Sequence, residues 1–225
     1  TTPKPLLLVQ GKPLIEWHLQ ALALGGFRHV LINTAWLGQK ISEHLGSEPL
    51  RDERGPLSIS YSHEGRDFGG ALETAGGIVR ALPLLADVFW LLAADVYTPD
   101  FVFSQSALDR FVASGKLAHL WLVPNPPHNP NGDFGLSANP PVNGEPALAL
   151  NQAAVKYTYS TIGLYHRDLF SPPYCDLAHG NPEGVKAPLA PLLRAAMDNH
   201  RVSAELYRGP WTDVGPPGRL AQLNL

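Results

Sequence analysis

Cysteine is almost missing from the 225 residues: Cys175 stands alone. A single cysteine excludes an internal disulfide and a thiolate zinc cage, and makes a reducing cytosol the expected compartment. Its neighbours Pro172, Pro173 and Tyr174 place it in a loop rather than in the polar setting of a catalytic thiol. No stretch approaches the roughly 18 apolar residues of a membrane span. The first residues, Thr1-Thr2-Pro3-Lys4-Pro5, have no leader pattern. Positive charge is not in surplus either, since the formal net charge is -3, and a nucleic-acid backbone is therefore not the expected partner. The nine histidines contain no His-Glu-x-x-His pair, and no G-x-S-x-G elbow surrounds a serine. Zinc-protease and serine-nucleophile chemistry are disfavoured accordingly.

What is present is an alternation of strand and helix signals. Leu14, Ile15, His18, Leu19 and Leu22 recur at helical spacing after Pro13, and Gly25-Gly26 supply the stop. Phe27 to Asn33 reads as a strand, followed by a helix around Gln39 to Leu45. The pattern continues as strand Leu57 to Tyr61, helix Thr74 to Leu85, strand Val88 to Ala93, helix Ser104 to Ser114 and strand Leu117 to Val123. Such alternation predicts βαβ units, an α/β fold and a mainly parallel sheet.

After Val123 the texture changes. Pro124 to Asp133, with four prolines, cannot be helix and reads as a long shaped loop. Phe134 to Ser137, Ala147 to Leu150 and Tyr157 to Tyr165 read as strands of a smaller layer, with a turn at Asn139 to Gly144. A helix over Leu189 to His200, a strand over Ser203 to Tyr207 and a turn at Trp211-Thr212-Asp213 complete the chain. One domain with a small β-rich substrate lobe is expected, residues 1–123 forming the larger part and 124–225 the lobe.

Two carboxylates carry the chemistry. Asp95 follows the apolar run Val88 to Ala94, so its charge belongs at the open edge of the sheet, where such folds bind ligands. Asp213, brought there from far along the chain, completes a seat for Mg²⁺, which favours oxygen ligands and retains waters and substrate phosphates. Asp213 alone reads equally as a turn residue. The segment Leu72-Glu73-Thr74-Ala75-Gly76-Gly77 opens a helix, and glycines there allow a ligand close to the amides; an ordinary capped helix with packed glycines is the competing reading. Glu73 suits the helix dipole as a first-turn acid. Lys4, stiffened between Pro3 and Pro5, suits a phosphate contact or a solvated surface. His18 fits core packing, and His128 lies in the proline-rich loop within reach of a substrate.

Taken in order, Thr2-Pro3-Lys4-Pro5-Leu6 with Gly11-Lys12-Pro13-Leu14-Ile15, then LETAGG at 72–77, AADVY at 93–97 and WTDVG at 211–215, resemble the sugar-1-phosphate nucleotidyltransferase family. The resemblance implies a Rossmann-like nucleotide-binding fold with a sugar-binding lobe. It also implies a reaction in which an NTP and a sugar 1-phosphate give an NDP-sugar and pyrophosphate. The run VPNPPHNPNGDFGL at 123–136 is similar to uridylyltransferases that act on N-acetylmuramate 1-phosphate in cell-wall recycling, and less so to mannose-1-phosphate guanylyltransferases. A non-catalytic module that binds nucleotide sugars is the alternative from another class.

By position, the resemblance makes Asp95 and Asp213 the Mg²⁺ ligands and Lys4 a phosphate contact. It places Thr74, Gly76 and Gly77 in the base-binding loop and Gly132, Tyr159, Ser160 and Thr161 near the sugar, with Lys156 as a further candidate. The family's opening strand and its L-A-A-G-x-G-x-R loop are not among the 225 residues. A void at the centre of the sheet is therefore expected, together with about 20 further N-terminal residues, the length of a strand plus a loop.

Overall fold

The computed structural model describes residues 2–46, 50–52, 54–138, 146–215 and 217–224. The turn expected over Asn139 to Gly144 lies outside the described residues. After a 3₁₀ turn at Lys4–Leu6, the hairpin β1 (Leu8–Val9) and β2 (Lys12–Pro13) leads into α1 (Leu14–Leu24), β3 (His29–Thr34) and α2 (Gly38–Leu45). Next come β4 (Leu50–Asp52), β5 (Gly55–His63), α3 (Glu64–Phe68), α4 (Glu73–Ala81), β6 (Val88–Leu91), β7 (Val96–Tyr97), α5 (Gln105–Ser114) and β8 (Ala118–Val123). The second half contributes β9 (Gly135–Leu136), β10 (Ala147–Leu150), β11 (Thr158–His166), α6 (Leu189–Asp198), β12 (Val202–Leu206), β13 (Thr212–Asp213) and α7 (Pro217–Leu223).

Local chemistry sets these boundaries. Helix α1 buries Leu14, Ile15, His18, Leu19 and Leu22 on one face and stops at Gly25, where any Cβ would collide with the Phe103 carbonyl. Helix α4 ends four residues earlier than its periodicity suggests, because Pro83 turns the chain into a 3₁₀ segment at Leu82–Leu84. Helix α5 is capped by the Ser104 hydroxyl, which accepts from the Ala107 amide, and it ends in the left-handed Gly115.

The sheet is mixed. The order of its larger part is β6-β11-β8-β12-β10-β9, and a second part runs β3-β5-β4. Parallel pairing, expected for most of the sheet, is found in β3–β5 and β8–β12. Strand β11 instead lies antiparallel between β6 and β8, since no crossover helix leads into it, and β9, β10 and β11, expected as a smaller layer, belong to this same sheet.

All six residues of β8 are buried, and their alternation splits the core. Ala118, Leu120 and Leu122 pack with Ile78 and Val79 of α4 and Leu193 and Ala196 of α6. Trp121 faces the other way, into a cluster with Phe101, Phe103, Phe111 and Leu164.

Between the two parts of the sheet lies a slot. Strands β3 and β6 are each paired on one side among the described residues. A cavity of about 910 Å³ separates them, and four consecutive residues from each strand, Val30 to Asn33 and Phe89 to Leu92 (the last just past β6), line it. Consecutive residues point to opposite faces of a strand, so a cavity touching all of them must lie along the strand edges. The slot therefore runs along the facing edges of β3 and β6.

Candidate active site

The chain segments that carry Asp95 and Asp213 are joined by backbone pairing. Past β6 the chain runs through Asp95 into β7, which pairs with β13 so that Val96 faces Asp213 and Tyr97 faces Thr212. The Val214 amide also donates to the Asp95 carbonyl at 2.8 Å. Asp95 thus lies just before β7 and Asp213 within β13, past the end of β6. The turn expected at Trp211-Thr212-Asp213 is in fact a short strand plus the tryptophan that anchors it, for Trp211 Nε1 donates to the Ser160 carbonyl at 3.0 Å.

Each carboxylate has a cation against it. Lys4 Nζ lies 3.0 Å from Asp95 Oδ2, and Arg219 Nη1 lies 2.9 Å from Asp213 Oδ2. His128 reaches in from the proline-rich loop, its Nε2 3.4 Å from Asp213 Oδ2. The carboxyl side chains are 34% and 30% exposed, and pairs so open to water contribute at most about 1 kcal/mol to stability. Their consequence is placement of charge.

Behind Asp95, buried His18 joins its ring Nε2 to the Val96 carbonyl at 2.8 Å. Burial drives the His18 pKa down to about 4, so the ring is neutral at pH 7 and Nε2–H is the donor. The core-packing role expected for His18 thus includes fixing the residue that follows Asp95.

The start of α4 corrects part of the sequence reading. The amides of Ala75 and Gly76 both donate to the Ala187 carbonyl, at 2.9 and 3.1 Å, so they are not open to a ligand. Gly76 and Gly77 are buried, and their missing side chains are explained by close neighbours. A Cβ on Gly76 would lie 2.6 Å from the Val185 carbonyl oxygen, and one on Gly77 would collide with Glu64 Oε1 and Asn33 Nδ2. Glu73 and Thr74 are exposed and form a wall of the same slot that β3 and β6 line. Glu73 holds a left-handed φ of 58°, rare for a residue with a side chain and concentrated at functional sites.

Glu64, which the sequence did not single out, is the support of this wall. It is buried, its Oε2 accepts the Leu72 amide at 2.8 Å, and burial raises its pKa against the opposing pull of that bond.

The proline-rich loop is held by side-chain amides. Asn125 Nδ2 donates to the Lys156 carbonyl at 2.9 Å, and the Thr158 hydroxyl donates to Asn125 Oδ1 at 3.0 Å. Lys156 thus contributes a backbone acceptor to the loop. Gly132 sits at φ 63° with no room for a side chain, since a Cβ would lie 2.7 Å from Asn125 Oδ1 and 2.8 Å from Lys156 backbone. Asp133 accepts the Tyr159 amide at 2.8 Å and so fixes the strand opposite the loop.

Strand β11 bulges between Tyr159 and Gly163, and the bulge sorts the three expected sugar-side residues. Tyr159 and Thr161 line the cavity, together with Asp133. Tyr159 shares a 2.7 Å hydrogen bond with the Tyr165 hydroxyl, and burial raises its pKa, so the phenol stays protonated. Thr161 carries φ 66°, and its buried Oγ1 has no hydrogen-bond partner among the described residues. Ser160 does not belong to the cleft: it is 0% exposed and its hydroxyl accepts the Ile162 amide. The bulge turns it inward.

Comparison with known proteins identifies the family. The family model described as nucleotidyl transferase matches residues 1–225. N-acetylmuramate alpha-1-phosphate uridylyltransferase of Neisseria meningitidis serogroup B is 43% identical, the match covering 99% of this chain and 88% of that protein. The mannose-1-phosphate guanylyltransferase catalytic subunit beta of Xenopus tropicalis is 26% identical over 96% of this chain and 56% of its own length. Among solved structures, a protein described as a glucose-1-phosphate thymidylyltransferase from Bacillus anthracis superposes with a TM-score of 0.72 at 18% identity, covering 99% of this chain and 85% of the other. The chain belongs to the nucleotidyl transferase family and is a nucleotidyltransferase enzyme.

Proposed function

We propose that the protein joins UTP and N-acetylmuramate 1-phosphate into UDP-N-acetylmuramate and pyrophosphate. A phosphate oxygen of the sugar phosphate forms a bond to the α-phosphorus, and the bond from that phosphorus to the bridging oxygen of the β-phosphate breaks. The observation that carries this reading is the β7–β13 pairing, which brings the segments of two carboxylates from distant parts of the chain side by side. The Neisseria relative, named for that sugar and base, supports the substrate pair. Cell-wall recycling in the cytoplasm is the setting that such a product implies.

Asp95 and Asp213 suit Mg²⁺. They offer hard carboxylate oxygens, and two such ligands leave the ion's remaining positions to water and substrate phosphate. Bound there, Mg²⁺ supplies charge neutralisation and orientation to the reacting phosphates. Lys4 then screens the repulsion between the two anions from the Asp95 side. Residues 1–123 hold the nucleotide, with Thr74 and Glu73 facing it. Residues 124–225 hold the sugar, through Tyr159, Thr161 and the loop that Gly132 closes. No general base is needed, because a phosphate monoester is already ionised at neutral pH. Catalysis rests on positioning and electrostatics.

Pyrophosphate release with UTP or GTP against N-acetylmuramate, mannose and glucose 1-phosphates tests the assignment. The UTP and N-acetylmuramate pair should give the highest kcat/KM. A preference for GTP with mannose 1-phosphate overturns the substrate choice, and no release from any pair leaves a binding module in place of an enzyme.

Substitutions within β11 separate the cleft from the core. Thr161→Val keeps the branched shape and loses the hydroxyl, so the sugar phosphate KM should rise about tenfold, the scale of one hydrogen bond in a desolvated site. Ser160→Ala should leave KM alone and lower unfolding stability by about 1 kcal/mol. Steady-state kinetics paired with urea unfolding checks both, and the reverse pattern would place Ser160 at the sugar.

The slot between β3 and β6 enters the same proposal. We infer that it takes an extended strand running in the direction of β6, which ends beside Lys4 and Asp95. The turn after such a strand lies where the triphosphate has to sit.

A further inference from the structure

We propose that Arg219, carried by the C-terminal helix, is a phosphate-binding residue that Asp213 holds in reserve until a metal ion takes the carboxylate. The inference rests on the metal seat proposed above and adds to it a residue that no motif marked.

Helix α7 is fastened so that Arg219 cannot wander. Asn224 Nδ2 donates to the Leu8 carbonyl at 3.0 Å, and the Gln10 amide donates to Asn224 Oδ1 at 2.7 Å. Leu220 and Leu223 pack on Val9, Leu14, Tyr97 and Val214. These contacts tie the helix to the β1–β2 hairpin and to the strands that carry the two carboxylates.

The guanidinium is engaged through one nitrogen. Arg219 Nη1 lies 2.9 Å from Asp213 Oδ2, 3.0 Å from the Asp213 carbonyl and 3.3 Å from His128 Nε2. A guanidinium has five N–H donors in a planar fork, and among the described residues Nε and Nη2 make no hydrogen bond. Gly215 presents no side chain here: a Cβ would be 3.1 Å from Asp213 Oδ1 and 3.6 Å from Arg219 Nη2. The unused Nη2 and the Asp213 carboxylate thus both lie beside the bare backbone of Gly215.

A divalent ion and a guanidinium compete for the same carboxylate, and the ion brings twice the charge. When Asp213 turns to the ion, the fork is freed beside the phosphates that the ion also binds. Two parallel N–H donors match two oxygens of one phosphate, a geometry that an ammonium does not offer. The phosphate belongs either to the sugar phosphate or to the pyrophosphate unit of the nucleotide, and the chemistry of recognition is the same.

The experiment uses Mn²⁺ with inorganic pyrophosphate or N-acetylmuramate 1-phosphate, followed by calorimetry and Mn²⁺ paramagnetic resonance. Arg219→Gln should bind Mn²⁺ alone severalfold more tightly than the unaltered protein, because the competitor is gone. With Mn²⁺ saturating, it should bind one or both phosphates about tenfold more weakly, the scale of a lost charge-assisted hydrogen bond. Arg219→Lys should recover less than half of that loss on a logarithmic scale. Weakening of one ligand alone identifies which phosphate Arg219 meets. Unchanged affinity for both ligands in Arg219→Gln, with Mn²⁺ still bound, overturns the role of Arg219 alone. Failure of the unaltered protein to bind Mn²⁺ in an Asp213-dependent way overturns the metal seat and this inference together. Arg219→Lys supplies the same comparison should the Gln variant not fold.

Discussion

Asp95→Asn is expected to lower kcat by about a thousandfold, and Asp213→Asn to do the same, while both variants fold. A metal ion at developing phosphate charge is worth several kcal/mol, and each 1.36 kcal/mol is tenfold in rate, so about 4 kcal/mol corresponds to that loss. An amide keeps the shape of the side chain and surrenders the charge that the ion needs. The fold tolerates the change because both carboxylates are about one-third exposed, and the pairs they make with Lys4 and Arg219 are of the weak surface kind. Thermal unfolding should therefore move by no more than a few degrees. The double variant should be barely slower than either single one, since two ligands of one ion act as a unit. Pyrophosphate release at saturating Mg²⁺ measures the effect. Either single variant within threefold of the unaltered rate would falsify the shared seat.

How far the sequence disclosed this site depends on which interactions are local. Asp95 was legible because a carboxylate ending a buried apolar strand has few places to go, and the alternation of strands and helices fixed which edge that was. Asp213 needed the order of four motifs, for nothing in Trp211 to Gly215 says that it will pair with β7. Gly76 and Gly77 misled for the same reason. Their neighbours, Val185, Ala187, Glu64 and Asn33, are remote in sequence, so a packed glycine looked like an open one. Ser160 and Thr161 are adjacent and chemically alike, and a bulge with Thr161 at φ 66° decides which faces the cleft. Alternation alone cannot supply that, because the bulge breaks its count. Arg219 follows Asp213 by less than two helical turns, yet a lone arginine after a Gly-Pro turn carries no signal until α7 is seen clasped to the hairpin. The mixed sheet was hidden likewise, since a connection without a helix permits a return in either direction and composition does not say which.

Placing a strand-and-turn segment ahead of Thr1 is expected to raise Tm by roughly 10 °C, because it fills the slot between β3 and β6. The slot walls show what is to be gained. Val30, Leu31, Ile32, Trp90 and Leu91 are only partly buried, whereas β8 is buried at every position. Covering two or three such side chains is worth several kcal/mol, and each kcal/mol moves Tm by roughly 2–4 °C at this chain length. Two free strand edges also gain partners, so the amides of β3 and β6 that point into the slot should pass from rapid to slow hydrogen exchange. Those of β3 that already face β5 should change little. That contrast separates strand insertion from a general tightening, which slows exchange on both sides alike. A segment of equal length with adjacent prolines along its strand loses donors to both ladders, and should raise neither Tm nor protection. The same filling bears on catalysis, because a strand that follows β6 ends next to the Lys4–Asp95 pair. Its closing turn then presents backbone amides to the nucleotide phosphates, and the KM for UTP should fall together with the rise in Tm. A rise in Tm without a change in KM would confine the strand to holding the sheet together, and no change in either would leave the slot as an ordinary ligand cleft.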